Sequence, residues 1–399
     1  MPAHHKTETD NTRSIVLLTL SRLTIDMTRR FVYPFVGPIA AQLGVSPAAV
    51  QNVLASQAGI GLTSPLFGTL AERYGRKRVM VLCLLAMVVA ALIGAFVPQF
   101  SVFVLVMLTF GMGKVIFNPT MQAYIGDIIP YNRRGRALGI VELSWAGALF
   151  VVAPLAGFIL ERSTLQLLML VFAILLGVMT LAMFFLLSSD AEERKQKRVS
   201  LNPFIGWGSL LRSPAAIAAL IFSLTLVGAN ELFFINYGLY MEAAFDLPLT
   251  ALGTVTIVVA LAEALGEGMV IILADRIGKR PLTLIGAFGA AIAYVLLPQF
   301  NSNLFLTLAS LFLMFACVEM AIVASFPLFT EVLPEARTVM MSTIGGAHAL
   351  GRMAGASLGG MFFASTGNFG TIGLASLIIG MVAFIMMWRF IPEYSHITQ

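Results

Sequence analysis

The residues of this 399-residue chain whose types could do chemistry are ionisable groups set inside long apolar runs. RLTIDMTRRFVYPF, residues 22–35, places Arg22, Asp26, Arg29 and Arg30 in one such run. On a helix of ~100° per residue, Arg22, Arg29, Arg30 and Tyr33 lie at about −40°, −60°, +40° and −20° from Asp26, so one face carries the set. The first half of the chain adds Lys114 and Glu142 within its runs. The second half holds Glu231, Glu263, Glu267, Glu319 and Arg352, with His348 one turn before that arginine. Charges at such depth are expensive and face a wet cavity or a partner. Bases dominate the first half and acids the second. Pairing within one helix leaves at least one span 1 arginine uncompensated, so it needs either a glutamate from the other half or an anionic group on a substrate.

A carboxylate in a low-dielectric cavity has its neutral form favoured and can exchange a proton. Glu231, Glu263 and Glu319 lack a cation in their own runs, and Glu267 shares a helical face with Glu263. These are the expected proton-coupling groups. Asp26 with Arg22, Arg29, Arg30, Tyr33, Lys114 and Arg352 is the expected substrate or gate site. The structural alternative is that Asp26 only balances its arginines. His348 can titrate, although in a small-residue helix packing or hydrogen bonding is its ordinary role. Glu142 lies about one turn from the end of its run, which suits a structural role near the loop at 68–78. Cys83 and Cys317 both lie in apolar runs and read as inert thiols. Neither a metal-ligand cluster nor a nucleophile–base set is present, so an enzyme is not expected.

The elements that must position these groups follow from composition. Hydrophobic residues make up 58% of the chain and charged residues 11%, with a mean hydropathy of +0.90. A soluble domain is about 25% charged, so this surface does not suit water. Runs of ~20 apolar residues, enough to cross a ~30 Å hydrocarbon core, recur from end to end. They predict an all-α membrane protein with twelve spans, near 14–40, 47–70, 79–97, 102–126, 137–160, 165–187, 213–241, 248–273, 281–298, 303–330, 337–364 and 369–390. The first run lacks a small-residue cleavage site and reads as a retained helix.

Of the 25 Lys and Arg residues, nineteen fall at the termini and after even-numbered spans, five within spans, and only Arg162 in an opposite loop. Basic loops stay on the inner side, so both termini are expected in the cytoplasm of a cell inner membrane. The net charge of +5 is therefore a topology signal, and no nucleic-acid partner is expected. The one long polar connector, residues 188–212, separates an expected six-helix bundle at 1–187 from a second at 213–399. Its charged part reads as a solvated linker. Its later part, with Phe204, Trp207, Leu210 and Leu211, reads as a short amphipathic helix on the inner face.

The halves repeat. LAERYGRKR (70–78) matches LADRIGKRP (273–281), Asp127-Ile-Ile-Pro matches Glu331-Val-Leu-Pro, and APLAG (153–157) matches ASLGG (356–360). All three lie at an offset of 203 to 204. Two related bundles with a site between them near the midplane is the architecture such a repeat implies.

GTLAERYGRKR, residues 68–78, resembles the signature loop of the major facilitator superfamily, with Glu72 in place of the usual aspartate. That resemblance implies the major facilitator fold, two pseudo-symmetric six-helix bundles. It further implies that Gly68, Glu72, Arg73, Gly75 and Arg76 join Asp127 in a conformational latch. Span 5 keeps Pro154 and Gly157 of the family's antiporter motif, but Leu149, Ala153 and Phe158 replace its other glycines. In span 11, Gly351, Gly355, Gly359 and Gly360 stand, with Ala356 at the proline position. Small residues four apart let helix backbones approach closely, which is the bland reading of both segments. Met107 stands where the family usually has a span 4 arginine.

The resemblance implies proton-coupled antiport: efflux of amphiphilic small molecules by alternating access, driven by the proton gradient without another cofactor. The alternative is an exporter or flippase of anionic lipid or lysolipid, its headgroup held by the span 1 arginines through bidentate Arg–phosphate geometry. Membrane lipids and the substrate are the expected partners of a monomer.

Overall fold

In the computed structural model, residues 8–64, 67, 71, 73–129, 131–187, 207–333 and 337–393 are described. They are helical almost throughout. The first half contains α1 (Glu8–Arg30), α2 (Val36–Leu43), α3 (Pro47–Gly59), α4 (Arg76–Phe96), α5 (Phe100–Ile128), α6 (Tyr131–Glu142), α7 (Ser144–Arg162) and α8 (Leu165–Leu186). After a short helix α9 (Trp207–Arg212), the second half runs α10 (Pro214–Phe234), α11 (Tyr237–Phe245), α12 (Leu249–Val255) and α13 (Ile257–Ile277). It ends with α14 (Lys279–Leu296), α15 (Leu304–Val332), α16 (Arg337–Thr366) and α17 (Phe369–Phe390).

Nine helical segments among the described residues are long and apolar enough to cross a membrane, against twelve spans expected. The other three expected positions are helical but fall short for identifiable reasons. Span 1 is charged and divided, and span 2 is regular only over α3 before a 3-10 turn at Ile60–Thr63. Span 11, now α16, is diluted by Gly, Ser and Thr. Of the expected amphipathic helix, only α9 lies within the described residues; there Leu210 is buried and Leu211 exposed. Phe204 lies outside them.

Span 1 is not the single helix expected from its periodicity. Pro34 cannot donate a backbone N–H and disfavours helix just before it. The chain accordingly leaves α1 after Arg30, makes a 3-10 turn at Tyr33–Phe35 and resumes as α2. Tyr33 therefore does not continue the α-helical face of Asp26, although it remains buried. Span 7 breaks at the position one repeat later, between α10 and α11. There the freed carbonyl of Ile235 and the side-chain oxygen of Asn236 accept hydrogen bonds from Gln51 Nε2 at 3.3 and 2.8 Å. Irregular backbone at membrane depth survives where protein satisfies it, and here the donor comes from the other half. The two breaks pack on each other, since a Cβ on Gly238 would lie 2.1 Å from the Pro34 carbonyl oxygen.

Close approach of this kind seals the halves at the end opposite the termini. A Cβ on Gly157 would meet the Leu249 carbonyl at 2.4 Å, and one on Gly253 would meet that of Ala153 at 2.2 Å. Nearby, Glu161 accepts the backbone N–H of Thr250 at 2.6 Å, and Arg162 donates to the Thr250 hydroxyl at 3.3 Å. The motif around Pro154 and Gly157 thus serves close packing between halves. Three of the span 11 glycines pack within the second half, whereas Gly360 faces Gln51 of the first. Gly351, Gly355 and Gly359 press on the carbonyls of Leu224, Gly228 and Leu232, four apart on α10.

The repeat is also visible in the basic loops. Gly75 and Gly278 both adopt positive φ, 88° and 98°, where side chains are strained. Lys77 donates to the Leu187 carbonyl at 2.5 Å, while Arg280 donates to those of Trp388 and Ile391. Each loop thus caps orphan carbonyls at the end of its half's last helix. Replacing Gly355 with Val is expected to cost about 2 kcal/mol by overpacking against the Gly228 carbonyl. Gly268→Val, whose Cβ meets nothing within 4 Å, is expected to cost far less. Unfolding midpoints in detergent check the difference.

Candidate functional site

The ionisable groups converge midway along the helices, between the halves. Arg30, at the last turn of α1, has a side chain only 1% exposed. Its Nη1 and Nη2 donate to Glu263 Oε2 and Oε1 at 2.7 and 2.6 Å, a bidentate pair reaching from α1 to α13. Nη1 also donates to the Trp145 carbonyl at 2.8 Å. A second bridge lies beside it, where the Tyr33 hydroxyl donates to Glu231 Oε1 on α10 at 2.6 Å. Tyr33 also stacks on Phe234 with ring centroids 4.4 Å apart.

The first half neutralises its own remaining charges in part. Asp26, fully buried, takes Lys114 at 2.5 Å and Arg22 at 3.6 Å. Arg22 in turn donates to Glu142 at 2.6 Å. Glu142 therefore serves span 1 rather than the signature loop, the role expected from its position near the end of its run. Asp26 is the acceptor of a lysine first and of an arginine second. Arg29 is buried and forms no ion pair among the described residues.

Glu263 was expected to lack a cation in its own run, and no cation of α13 pairs with it; Arg30 answers it from across the interface. Glu319 and Glu267 form no hydrogen bond or ion pair among the described residues. Glu319 shares the charged cavity with Glu231, Glu263 and Arg352. That cavity encloses about 30 Å³, room for one or two waters. Its lining also includes the apolar Val227, Phe234, Phe315, Val318 and Ile322. His348 stands apart against Phe326, ring centroids 6.0 Å apart, and packs rather than pairing with a carboxylate.

Trp145 is the site residue that sequence reasoning missed. The Arg30 guanidinium and the Lys114 ammonium both lie 4.2 Å from the centroid of its ring, and the Arg352 guanidinium lies 5.3 Å from it. An indole face attracts cations, most strongly where water is scarce. One ring thereby gathers basic groups from three helices on both sides of the interface. The available signal was a tryptophan three residues after Glu142, inside an apolar run.

Arg76 pairs with Asp127, as the resemblance implied for the latch, and also donates to the Ala123 carbonyl. Arg73 is exposed over Tyr74. Glu72 and Gly68 lie outside the described residues. The C-terminal counterpart, Arg337 with Glu331 at 3.1 Å, is open to solvent.

Comparison with known proteins places this geometry in context. The profile described as Major Facilitator Superfamily matches residues 18–240 and 226–398. An uncharacterized MFS-type transporter of Bacillus subtilis, YceJ, is 23% identical over 325 residues, 79% of this chain and 80% of that protein. The class C tetracycline resistance protein of Escherichia coli is 27% identical over 248 residues, covering 59% of this chain and 60% of its own. A solved D-xylose–proton symporter shares the fold with a TM-score of 0.80 at 17% identity, over 96% of this chain and 98% of that one.

Removing one partner of a buried ion pair leaves an uncompensated charge, whereas removing both does not. Arg30→Gln and Glu263→Gln are each expected to lower the unfolding midpoint, and the double variant to lower it by less than their sum. The coupling energy from this cycle is expected to exceed about 1 kcal/mol.

Proposed function

We propose, for a multi-pass membrane transporter that belongs to the Major Facilitator Superfamily, that this chain is a proton-coupled exporter of amphiphilic small molecules. The observation that carries this reading is the double bridge of Arg30 to Glu263 and Tyr33 to Glu231 across one charged cavity. Both bridges join the halves at mid-depth, and the glycine contacts seal the end beyond them. Rocking of the halves about this site requires the bridges to break. A carboxylate that gains a proton ceases to be an ion-pair acceptor, which links protonation to release of Arg30. Glu319, unheld by any donor among the described residues, is the carboxylate that exchanges its proton as substrate enters.

In this cycle substrate enters from the side of the termini, assigned to the cytoplasm by the nineteen Lys and Arg gathered there. Protons from the opposite side reset the glutamates. The resistance protein among the relatives supports the export direction. The lipid-headgroup alternative is the weaker reading, since two of the three span 1 arginines, Arg22 and Arg30, are already held by Glu142 and Glu263.

In proteoliposomes with an imposed pH gradient, wild type is expected to accumulate an amphiphilic dye against its concentration gradient. Glu319→Gln and Glu263→Gln are each expected to reduce gradient-driven uptake at least about tenfold, equivalent to ~1.4 kcal/mol. They are expected to leave downhill exchange measurable. Full gradient-driven transport by both variants removes the proton-coupling reading.

A further inference from the structure

Among the described residues, two seams between the halves close the end opposite the termini, and they differ in chemistry. At one, Gly157 and Gly253 meet the carbonyls of Leu249 and Ala153, so backbone lies on backbone. Its hydrogen bonds, to Thr250, lie on the exposed rim. At the other, a buried amide crosses between the halves. Gln51 of α3, 1% exposed, donates to the Ile235 carbonyl and to Asn236 Oδ1. Asn236 is fully buried and donates in turn to the Leu232 carbonyl at 3.0 Å. Gly359 and Gly360 of α16 make the slot these side chains occupy. A Cβ on Gly359 would lie 3.0 Å from Asn236 Nδ2, and one on Gly360 would lie 2.6 Å from Gln51 Oε1.

The slot leads inward to the charged site. Glu231 stands one turn before Ile235, whose N–H donates to the Glu231 carbonyl at 3.0 Å. One turn before Gly359 on α16 is Gly355, where a Cβ would lie 3.0 Å from Glu231 Cβ. The seam between spans 7 and 11 therefore runs from Gln51 past Asn236 to Glu231. The Glu231 carboxylate is held by Tyr33 and shares its cavity with Arg30, Glu263, Glu319 and Arg352. When the halves part, Gln51 leaves with the first. The Ile235 carbonyl and the Asn236 oxygen then need another donor, and at membrane depth water is the substitute. Water admitted there stands one helical turn from Glu231.

We propose that Gln51 closes a path for proton entry from the outer side to Glu231, as the positioning residue of that path, with Asn236 as its counterpart in the other half. This rests on the proton-coupled reading above and names the route by which its glutamates are reset. The step is the transfer of one proton from outer water to the Glu231 carboxylate, which loosens its hold on the Tyr33 hydroxyl. The glycine–carbonyl seam opens without exposing a buried amide and leads to no acid of the cavity.

The test is proton entry without substrate, in proteoliposomes loaded with a pH-sensitive dye. An acid pulse is applied outside while potassium and valinomycin clamp the potential. Gln51→Ala leaves room for water at the Ile235 carbonyl even with the halves closed. It is expected to raise the influx rate at least roughly fivefold, the change in population that one lost hydrogen bond gives. Gln51→Met, which keeps the length and loses the donor, is expected to do the same and reads the path should Gln51→Ala fail to fold. The exchange Gln51→Asn with Asn236→Gln keeps an amide on each side and is expected to return influx toward the wild-type rate. Adding Glu231→Gln to Gln51→Ala is expected to abolish the added influx, which a merely loosened fold would retain. Wild-type influx in both Gln51→Ala and Gln51→Met overturns the proposal, as does added influx that survives Glu231→Gln. Because no amphiphile is present, these outcomes are independent of substrate export, which the gradient-driven uptake assay reads separately.

Discussion

A guanidinium buried at mid-membrane depth has to be answered, and Arg30 is answered from the opposite half of the molecule. That constraint organises the rest of the structure. Glu263 is available to Arg30 only when α13 lies against α1 and α7, which requires the glycines of spans 5, 7 and 8 to admit carbonyl oxygens where side chains would stand. The break at Pro34 turns Tyr33 toward Glu231, and the matching break at Ile235–Asn236 lets Gln51 close the backbone gap. Electrostatics and close packing therefore specify the same arrangement of the halves. Neither suffices alone, because a buried ion pair roughly offsets its own desolvation and gives geometry more than stability.

The same logic explains the uneven treatment of charge across the site. Arg22, Lys114 and Arg30 each find an acid, two of them within the first half and one beyond it. Trp145 holds three cations near one aromatic face and moderates their repulsion without a counterion. What remains without an ion pair among the described residues is Arg29 in the first half, and Arg352 and Glu319 in the second. A site for exchange needs such unfinished chemistry, since a fully paired cluster has nothing to offer a substrate or a proton.

Much of this was legible in the sequence, and the reasons differ by residue. Composition and apolar runs identified a polytopic helical protein, and the offset between the two basic loops was traced in the positive φ of Gly75 and Gly278. The 100° rule placed Arg22, Asp26, Arg29 and Arg30 on one face correctly, because α1 is regular up to Arg30. It failed just beyond, where Pro34 interrupts the helix and carries Tyr33 to a different partner. The requirement that a surplus arginine meet a glutamate of the other half was readable from charge segregation. Which arginine met which glutamate was not, since Arg22, Arg29 and Arg30 share a face and only tertiary distance separates them. Trp145 escaped because a tryptophan in a membrane span usually marks an interface with lipid headgroups. Glu161 escaped because its role exists only when α12 docks against α7.

The central claim is that the Arg30–Glu263 pair, by joining the halves at mid-depth, keeps them closed at the end opposite the termini. The most direct measurement is the distance between spin labels at Gln99 and Asn301, exposed loop positions at that end, one in each half. With the native cysteines replaced, wild type is predicted to show a dominant short-distance population. Glu263→Gln is predicted to shift weight toward a longer one. Identical distance distributions in the two proteins would contradict the account.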